Sequence, residues 1–563
     1  MAADDSMLAR LDLMLDQLFS DWNIYTSLIA TLLASVIGYA LFFNKDPDTH
    51  PFLLARQASE APVRQPGESA ELRALDVPPG YPLKSSLGVR DPDTPKWSHG
   101  RRGDLRDIWK TVVRGTLNKD GSPAGKRSTI CTVLGDRVQE HKIDDISQEI
   151  NIVGQYIRDN IKVDTVAVCL PNSVELLALI FAGAFYGFKI AMIPEGVSTE
   201  LLAGYVEQVK AQLLITEAGT VAVSSLLRRT KSLKHAIWVV KQGSRHMGWN
   251  EVPAGIGSKI DVAVWHELVN EGQDAVSSEL PTWDPSTPTP SIAMLWSGKG
   301  DSGRFIEYTP ANLVAGIVGL GSSLPHPERL NSSDLVLSID TLSHSYTLCL
   351  ILAALYVNAS IALNSVAGEV VDFDLATAGI SPTVVITSSH TISDYHAQNM
   401  GPLMNPLSKL GRYLQTRTLD AGRMPSHNMF SSTVTNKVFQ KLRLLFISHR
   451  ADGARQNQLT SLQLTDLRVF TGVRVVYALT GPNVAGAICQ SNPYDYRRHS
   501  GYSHFGPPVG SVSIKLIGHD EKSGGERAVK GEILVSGPAV VSEECKLGIQ
   551  AELRDDLTLV LSR

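Results

Sequence analysis

No CxxC pair, no cluster of metal ligands and no internal repeat of fixed period occurs in this 563-residue chain. Its five cysteines, Cys131, Cys169, Cys349, Cys489 and Cys545, lie far apart. That excludes a zinc ribbon and a disulfide framework, and leaves buried reduced thiols in a cytosol-facing domain as the reading. A broad basic face is lacking as well, since 52 Lys and Arg stand against 57 Asp and Glu for a net charge of −5. Nucleic acid is therefore not an expected partner. With 43% hydrophobic and 19% charged residues the composition is that of a globular protein, long enough for several core-bearing units.

One segment stands out from this globular picture. Ile24 to Phe43 continues for twenty residues without a formal charge, about the length a helix needs to cross a bilayer core. A cleaved signal peptide competes with this reading, but a basic leader and a clear small-residue cleavage site are absent. Residues 1–23 carry five Asp against one Arg, whereas Lys45, Arg56 and Arg64 follow the run. The positive-inside bias then puts the large C-terminal part in the cytosol, with the endoplasmic reticulum membrane as the default. Before the span, Leu8, Leu11, Leu15, Leu18 and Trp22 share one helical face, either as an interfacial lead-in or as an extension of the anchor.

Beyond the span the chain divides by composition. Residues 44–103 are rich in Pro, Ser, Glu and Arg and read as a linker or a surface-clinging arm. Folded sequence resumes near Asp104. Strands are expected at Thr129–Leu134, in VDTVAVCLPN, at Lys189–Ile193 and at Gln212–Thr216. Helices are expected at Asp145–Asn160, Val174–Tyr186 and Thr199–Val209. Such alternation predicts an α/β fold with parallel sheets covered on both faces.

Residues 297–313, SGKGDSGRFIEYTPANL, hold the densest set of phosphate-binding residue types. Glycines let backbone N–H groups approach oxygen atoms, hydroxyls donate further bonds and a cation offsets charge. Ser297, Gly298, Gly300, Ser302, Gly303 and Arg304 supply these types between an apolar segment, Ile292–Trp296, and a helical pattern, Asn312–Leu320. A strand–loop–helix cradle is the expectation, and an ordinary Gly/Ser-rich surface loop is the alternative.

The stretch from VAVCLPN through the helix, Pro194 and Thr216 resembles the adenylate-forming, or AMP-binding, superfamily, and within it the acyl-CoA synthetases. The resemblance spans about residues 105–540. It implies the family's large N-terminal domain, two α/β subdomains plus a β-rich one, here following a transmembrane helix. Against the signature SG[ST][ST]GxPKG…THxNL the loop aligns without a gap: Ser297, Gly298 and Thr309 are kept, and Arg304 stands for the lysine. Lys299 and Gly300 replace the hydroxyl pair, and Asp301 and Phe305 replace glycines. Asp301 would repel a triphosphate unless a metal bridged them. The resemblance makes Ser297, Gly298, Ser302, Arg304, Thr309, Tyr477 and Thr480 the nucleotide-binding candidates, and His344 and Tyr346 the acyl-pocket candidates. His344 also fits a helix-capping turn. KLRLLFISHRADG aligns with LRxxxSGGAPL, so His449 and Arg450 stand where two glycines approach adenine. VVYALTGPN aligns with YGxTE and puts Gly481 at the acidic residue that supports magnesium. SGYSHFGPPVG and KGEILVSGP match further blocks of the family.

No TGD motif follows Pro538, and residues 546–563 read as a truncated tail near the family's hinge, after an AMP-binding-like domain at 104–545. The family uses ATP, forming AMP, with Mg2+ and, in these ligases, CoA. Two function classes stay open. One is an active membrane-anchored long-chain acyl-CoA synthetase, AMP-forming, either as it stands or with the family's mobile C-terminal domain, whose lysine promotes adenylation, supplied by a partner protein. The other, favoured by losses at four separate chemical positions, is a non-catalytic relative acting as an acyl- or nucleotide-binding module or a scaffold.

Overall fold

The structure, a computed structural model, describes residues 16, 20, 22–43, 46–90, 97, 99–117, 125–135, 137–240, 260–297, 303–368, 370–400, 406–425, 437–451, 458–518 and 529–562. It divides into two units, Met1–Thr49 and His50–Arg563. In the first, helix α1 (Ile24–Phe43) coincides with the expected apolar run. Asn23 starts it by accepting the N–H groups of Tyr25 and Thr26 at 2.9 and 3.1 Å, an N-terminal cap. Its side chains are described as far as Gly38, and Leu28, Leu32 and Val36 are all exposed. Among the described residues no helix is long and apolar enough to cross a membrane, so the expected span is not carried by the structure.

The second unit holds three sheets. The stretch expected to be a linker or arm contains the short strands β1 (Ala58–Glu60) and β2 (Leu72–Ala74), which pair antiparallel. Helix α2 (Leu105–Arg114) follows, opened by a capping box between Asp104 and Asp107. Strands β3 (Ile130–Leu134) and β4 (Arg137–His141) form a hairpin, and helix α3 (Ile143–Gln155) leads into a π-helical turn, Tyr156–Ile161. Chain reversal there uses Lys162 in the left-handed region, φ 58°.

Next come β5 (Thr165–Cys169), α4 (Val174–Tyr186), β6 (Lys189–Met192), α5 (Thr199–Gln208), β7 (Leu213–Glu217), α6 (Val223–Arg229), β8 (His235–Val239), β9 (Asp261–Val264) and α7 (Trp265–Gly272). The elements anticipated from sequence in this stretch match to within about three residues. Helix α4 is apolar all round because it is buried all round, packed on the parallel strands with Phe181 against Trp109 of α2 at 4.7 Å. With β10 (Ile292–Trp296) and β11 (Arg304–Tyr308), the strands form a seven-stranded sheet in the order β11-β10-β6-β5-β7-β8-β9.

Strand β11 corrects the expected strand–loop–helix cradle. The chain leaves β10, turns, and returns antiparallel with Trp296 opposite Arg304 and Ile292 opposite Tyr308. The reason lies in RFIEY, which alternates from Ile306 on: Ile306 and Tyr308 are buried with Glu307 exposed between them, and Arg304 is exposed at the start of the strand. Only then does helix α8 (Pro310–Ser322) begin.

An eight-stranded sheet follows from β12 (Leu335–Ser338), helix α9 (Ser345–Tyr356), β13 (Ser360–Asn364), β14 (Val384–Ser388), β15 (Leu444–Arg450), β16 (Arg474–Thr480) and β17 (Cys489–Gln490). Its order is β17-β16-β15-β14-β12-β13-β3-β4, parallel except at its two ends. The third sheet is antiparallel and runs β1-β2-β18-β19-β20-β21, with β18 (Ser513–Ile517), β19 (Lys530–Ser536), β20 (Glu544–Leu553) and β21 (Leu559–Leu561). Both the proline-rich stretch and the residues set apart as a tail thus contribute strands to one sheet.

Candidate functional site

In open parallel sheets a crevice forms where neighbouring strands send their connections in opposite directions. In the eight-stranded sheet this occurs between β12, which leaves toward β13, and β14, which leaves toward β15. Residues just beyond these strands, with the ends of β15 and β16, converge there. From the other sheet the end of β10 reaches the same place, so that Trp296, His344, Ser345, Tyr346, Ser448, Arg450 and Thr480 line one pocket.

Arg450 occupies that pocket. Its guanidinium lies 4.3 Å from the Trp296 ring centroid, Nη2 donates to the Ser297 carbonyl at 3.0 Å, and Nη1 is 3.1 Å from His344 Nε2. Arginine only donates, so His344 Nε2 is the acceptor and Nδ1 carries the proton. That Nδ1–H meets Asp340 Oδ1 at 3.0 Å. Asp340, 1% exposed, also accepts the Thr341 N–H and the hydroxyls of Thr347 and Ser448. The result is a chain from Arg450 through His344 to Asp340, with each polar group meeting another of the protein's own.

His449 fills the neighbouring space. It is buried, with Nδ1 3.1 Å from Ser389 Oγ and its ring stacked on Phe505 at 5.5 Å. Tyr477 is fully buried below it, packed on Phe505 at 4.6 Å, and its hydroxyl accepts the Leu459 N–H at 3.0 Å. Burial pushes that phenol well above the ordinary tyrosine range. Thr480 donates its hydroxyl to the His449 carbonyl at 3.1 Å. At Gly481, a Cβ would meet Ile488 Cδ1 at 2.8 Å, so no larger side chain fits without a shift of that residue.

Of the residues chosen from sequence, Ser297, His344, Tyr346 and Thr480 come together here, with Tyr477 one layer deeper. Thr309 sits apart as the cap of α8: its hydroxyl accepts the Asn312 N–H at 3.2 Å, while Asn312 bonds the carbonyls of Pro538 and Val540. Arg304 is exposed on β11. Gly298 and Ser302 lie outside the described residues. Gly303 is a packing glycine, since a Cβ would stand 2.9 Å from both Leu295 Cδ1 and the Tyr205 hydroxyl. The Tyr346 hydroxyl is buried without a hydrogen-bond partner, and the residue lines the pocket. Asp340 and Trp296 were missed; the Asp340–His344 spacing of four was the available signal for the first. The remaining cavity is about 10 Å3, room for one water-sized sphere.

No protein-family model matches the chain, and no curated protein does. Solved structures do match. An anthranilate–CoA ligase in complex with anthranoyl-AMP aligns with a TM-score of 0.60 at 14% identity, over 84% of this chain and 79% of its own. The N-terminal domain of FACL13 from Mycobacterium tuberculosis aligns at 0.55 and 10%, over 82% of this chain and 100% of its own. A long-chain-fatty-acid–CoA ligase from Archaeoglobus fulgidus aligns at 0.54 and 14%, over 85% and 86%. Such ligases belong to the adenylate-forming superfamily, and likeness at these identities establishes that the chain has their α/β fold.

Proposed function

We propose that this chain is a non-catalytic member of the acyl-CoA synthetase lineage, a membrane-tethered module whose ligand site is closed by its own side chains. The observation that carries the reading is Arg450, bonded at once to His344 and Ser297 and laid over Trp296. Small-molecule sites enclose about 300–1,000 Å3, far more than the roughly 10 Å3 left here. The residues present do not fit ATP, AMP or a magnesium ion at this site. His449 and Arg450 fill the space, and Gly481 brings no carboxylate. A place for CoA or a fatty acyl chain has no support from the pocket either.

Pyrophosphate release and hydroxamate trapping with a panel of fatty acids test the reading on the full chain. No signal above background is expected, and a trapped acyl-adenylate overturns it. The double variant His449→Gly/Arg450→Gly adds a second readout. It is expected to gain heat protection from ATP with magnesium that the wild type lacks.

Membrane tethering is the other half of the proposal. Twenty residues of helix without a charge rise about 30 Å, the thickness of a hydrocarbon core. The exposed Leu28, Ile29, Leu32 and Val36 form an apolar surface that needs cover. Retention in the membrane pellet after alkaline extraction, with residues 50–563 open to protease on the cytosolic side of endoplasmic reticulum vesicles, is the expected result. Release by alkali overturns it.

A further inference from the structure

Helix α10 (Pro406–Asp420) is turned inside out. Surface helices ordinarily bury their apolar stripe and show their polar one. In α10 the buried positions are Gly411, Gln415 and Leu419, spaced by four, so among the described residues the inner face holds one large apolar side chain. Leu410, Tyr413 and Leu414 point outward instead, 51%, 54% and 49% exposed. Their spacing of three and four gathers them on one face of the helix, where singly scattered apolar residues would need no account.

The charge on that face is positive. Arg417 stands within the stripe, its guanidinium 5.0 Å from the Tyr413 ring centroid, and the exposed Lys409 borders it. Among the described residues no carboxylate pairs with either. The one acidic residue of the helix, Asp420, is bonded to Arg498 at 2.7 Å, and Arg412, on the inner side, is bonded to Asp466 at 2.6 Å. Lys409 and Arg417 are therefore left for a partner outside the fold.

The same side of the unit receives the chain from its apolar segment. Arg498 ties the end of α10, and three residues before it Asp495 accepts the Gln57 side-chain amide at 2.7 Å. Gln57 follows Phe43, the last residue of α1, by only fourteen residues, a connection reaching at most about 50 Å.

We propose that the outer face of α10 rests in the headgroup region of an anionic lipid bilayer, with Leu410, Tyr413 and Leu414 entering the interface and Lys409 and Arg417 meeting the headgroup charges. A bilayer supplies acyl chains and anions from one surface, which is what an apolar stripe bordered by unanswered cations requires. The long stem of Arg417 can lie along the apolar face while its head reaches the anions. This contact deepens the membrane reading above and rests on it only for a bilayer close at hand.

The test attaches a fluorophore at Leu414→Cys, with Cys545→Ser removing the one thiol that is not buried, and reconstitutes the full chain in vesicles containing spin-labelled lipid. Quenching is expected in vesicles of phosphatidylcholine with phosphatidylserine, weakened by added salt. It should be lost in Lys409→Glu/Arg417→Glu, whose melting temperature should match the wild type because both side chains are exposed and unpaired. The proposal is overturned if the probe is unquenched in vesicles that retain the chain through alkaline extraction, or if phosphatidylcholine alone quenches it equally. It is also overturned if energy transfer between differently labelled chains shows the face covered by a second copy. If alkali releases the chain and the probe is still quenched on phosphatidylserine vesicles, the anchor fails and this contact stands.

Discussion

At the carboxyl ends of β12, β14 and β15, Arg450, His344 and Asp340 bond one another in series and leave about 10 Å3 of space. At the matching edge of the other sheet, the ends of β5 and β7, three glutamates surround about 490 Å3. The two crevices arise from the same topological reversal. What differs is the space left and the charge held: the first is filled by a bonded series, and in the second burial and the neighbouring Glu175 raise the pKa of Glu149. Polar groups that satisfy one another stabilise a fold, whereas like charges held together in a partly buried wall destabilise it. The first crevice should therefore weaken the protein when altered, and the second should strengthen it.

The largest expected effect is Asp340→Ala. It strands the Thr341 N–H, the His344 Nδ1–H and the hydroxyls of Thr347 and Ser448 in a buried setting. Denaturant unfolding should show a loss of about 3 kcal/mol or more. A loss under about 1 kcal/mol would break the contrast by making the series at Asp340 ornamental to stability.

Glu149→Gln should act in the opposite direction and with a pH dependence. The folded pKa, about 7, is raised above the ordinary 4.5. Both states are protonated below the ordinary value, so the carboxylate carries no penalty there. Between about 4.5 and 7 the folded state binds more protons than the unfolded, so stability falls with rising pH, and the penalty is complete above 7. The amide cannot ionise, so the variant should gain about 2 kcal/mol at pH 8 and little at pH 5. Equal stability of variant and wild type at both pH values would sink the claim that burial and Glu175 make the Glu149 carboxylate costly.

Most of the scaffold was legible before the structure. The alternation from Thr165 to Glu217 is written locally, since apolar strands and an all-apolar helix such as α4 follow from period and length. The return strand β11 was not, because the glycine-rich motif around Ser297 drew attention from the two-residue alternation of RFIEY. The closing of the first site was half legible. His449 and Arg450 stood out as side chains in place of glycines, but Ser389 lies 60 residues from His449, and His344 and Ser297 lie 106 and 153 residues from Arg450. Pairings at that range leave no local pattern. The glutamate-lined crevice was invisible, since its wall is drawn from separate strands and helices of two sheets and falls in no motif.

Arg450→Ala sharpens the comparison from inside the closed site. It removes the bond to His344, the bond to the Ser297 carbonyl and the stacking on Trp296, for an expected loss of about 1–2 kcal/mol in denaturant unfolding. Because part of Arg450 is exposed, the loss should be smaller than at Asp340. A gain in stability would place Arg450 with Glu149 as a group held at a cost to the fold, and the two crevices would then be alike.

Tyr477→Phe is the smallest change and the most discriminating for the role of that ring. In the family the aromatic residue at this place is expected to face adenine, yet here its faces are covered by Phe505 and the nearby His449 ring, and its hydroxyl serves the Leu459 N–H. Removing the oxygen leaves ring packing intact and one buried N–H without an acceptor. The expected loss is about 1 kcal/mol, read as a shift in denaturant midpoint at unchanged slope. If stability is unchanged while ATP with magnesium raises the melting temperature of wild type and not of the variant, the hydroxyl belongs to a nucleotide site that opens in solution. A loss of stability without any response to nucleotide assigns Tyr477 to the core, and the ring once selected for chemistry is then held in place by packing alone.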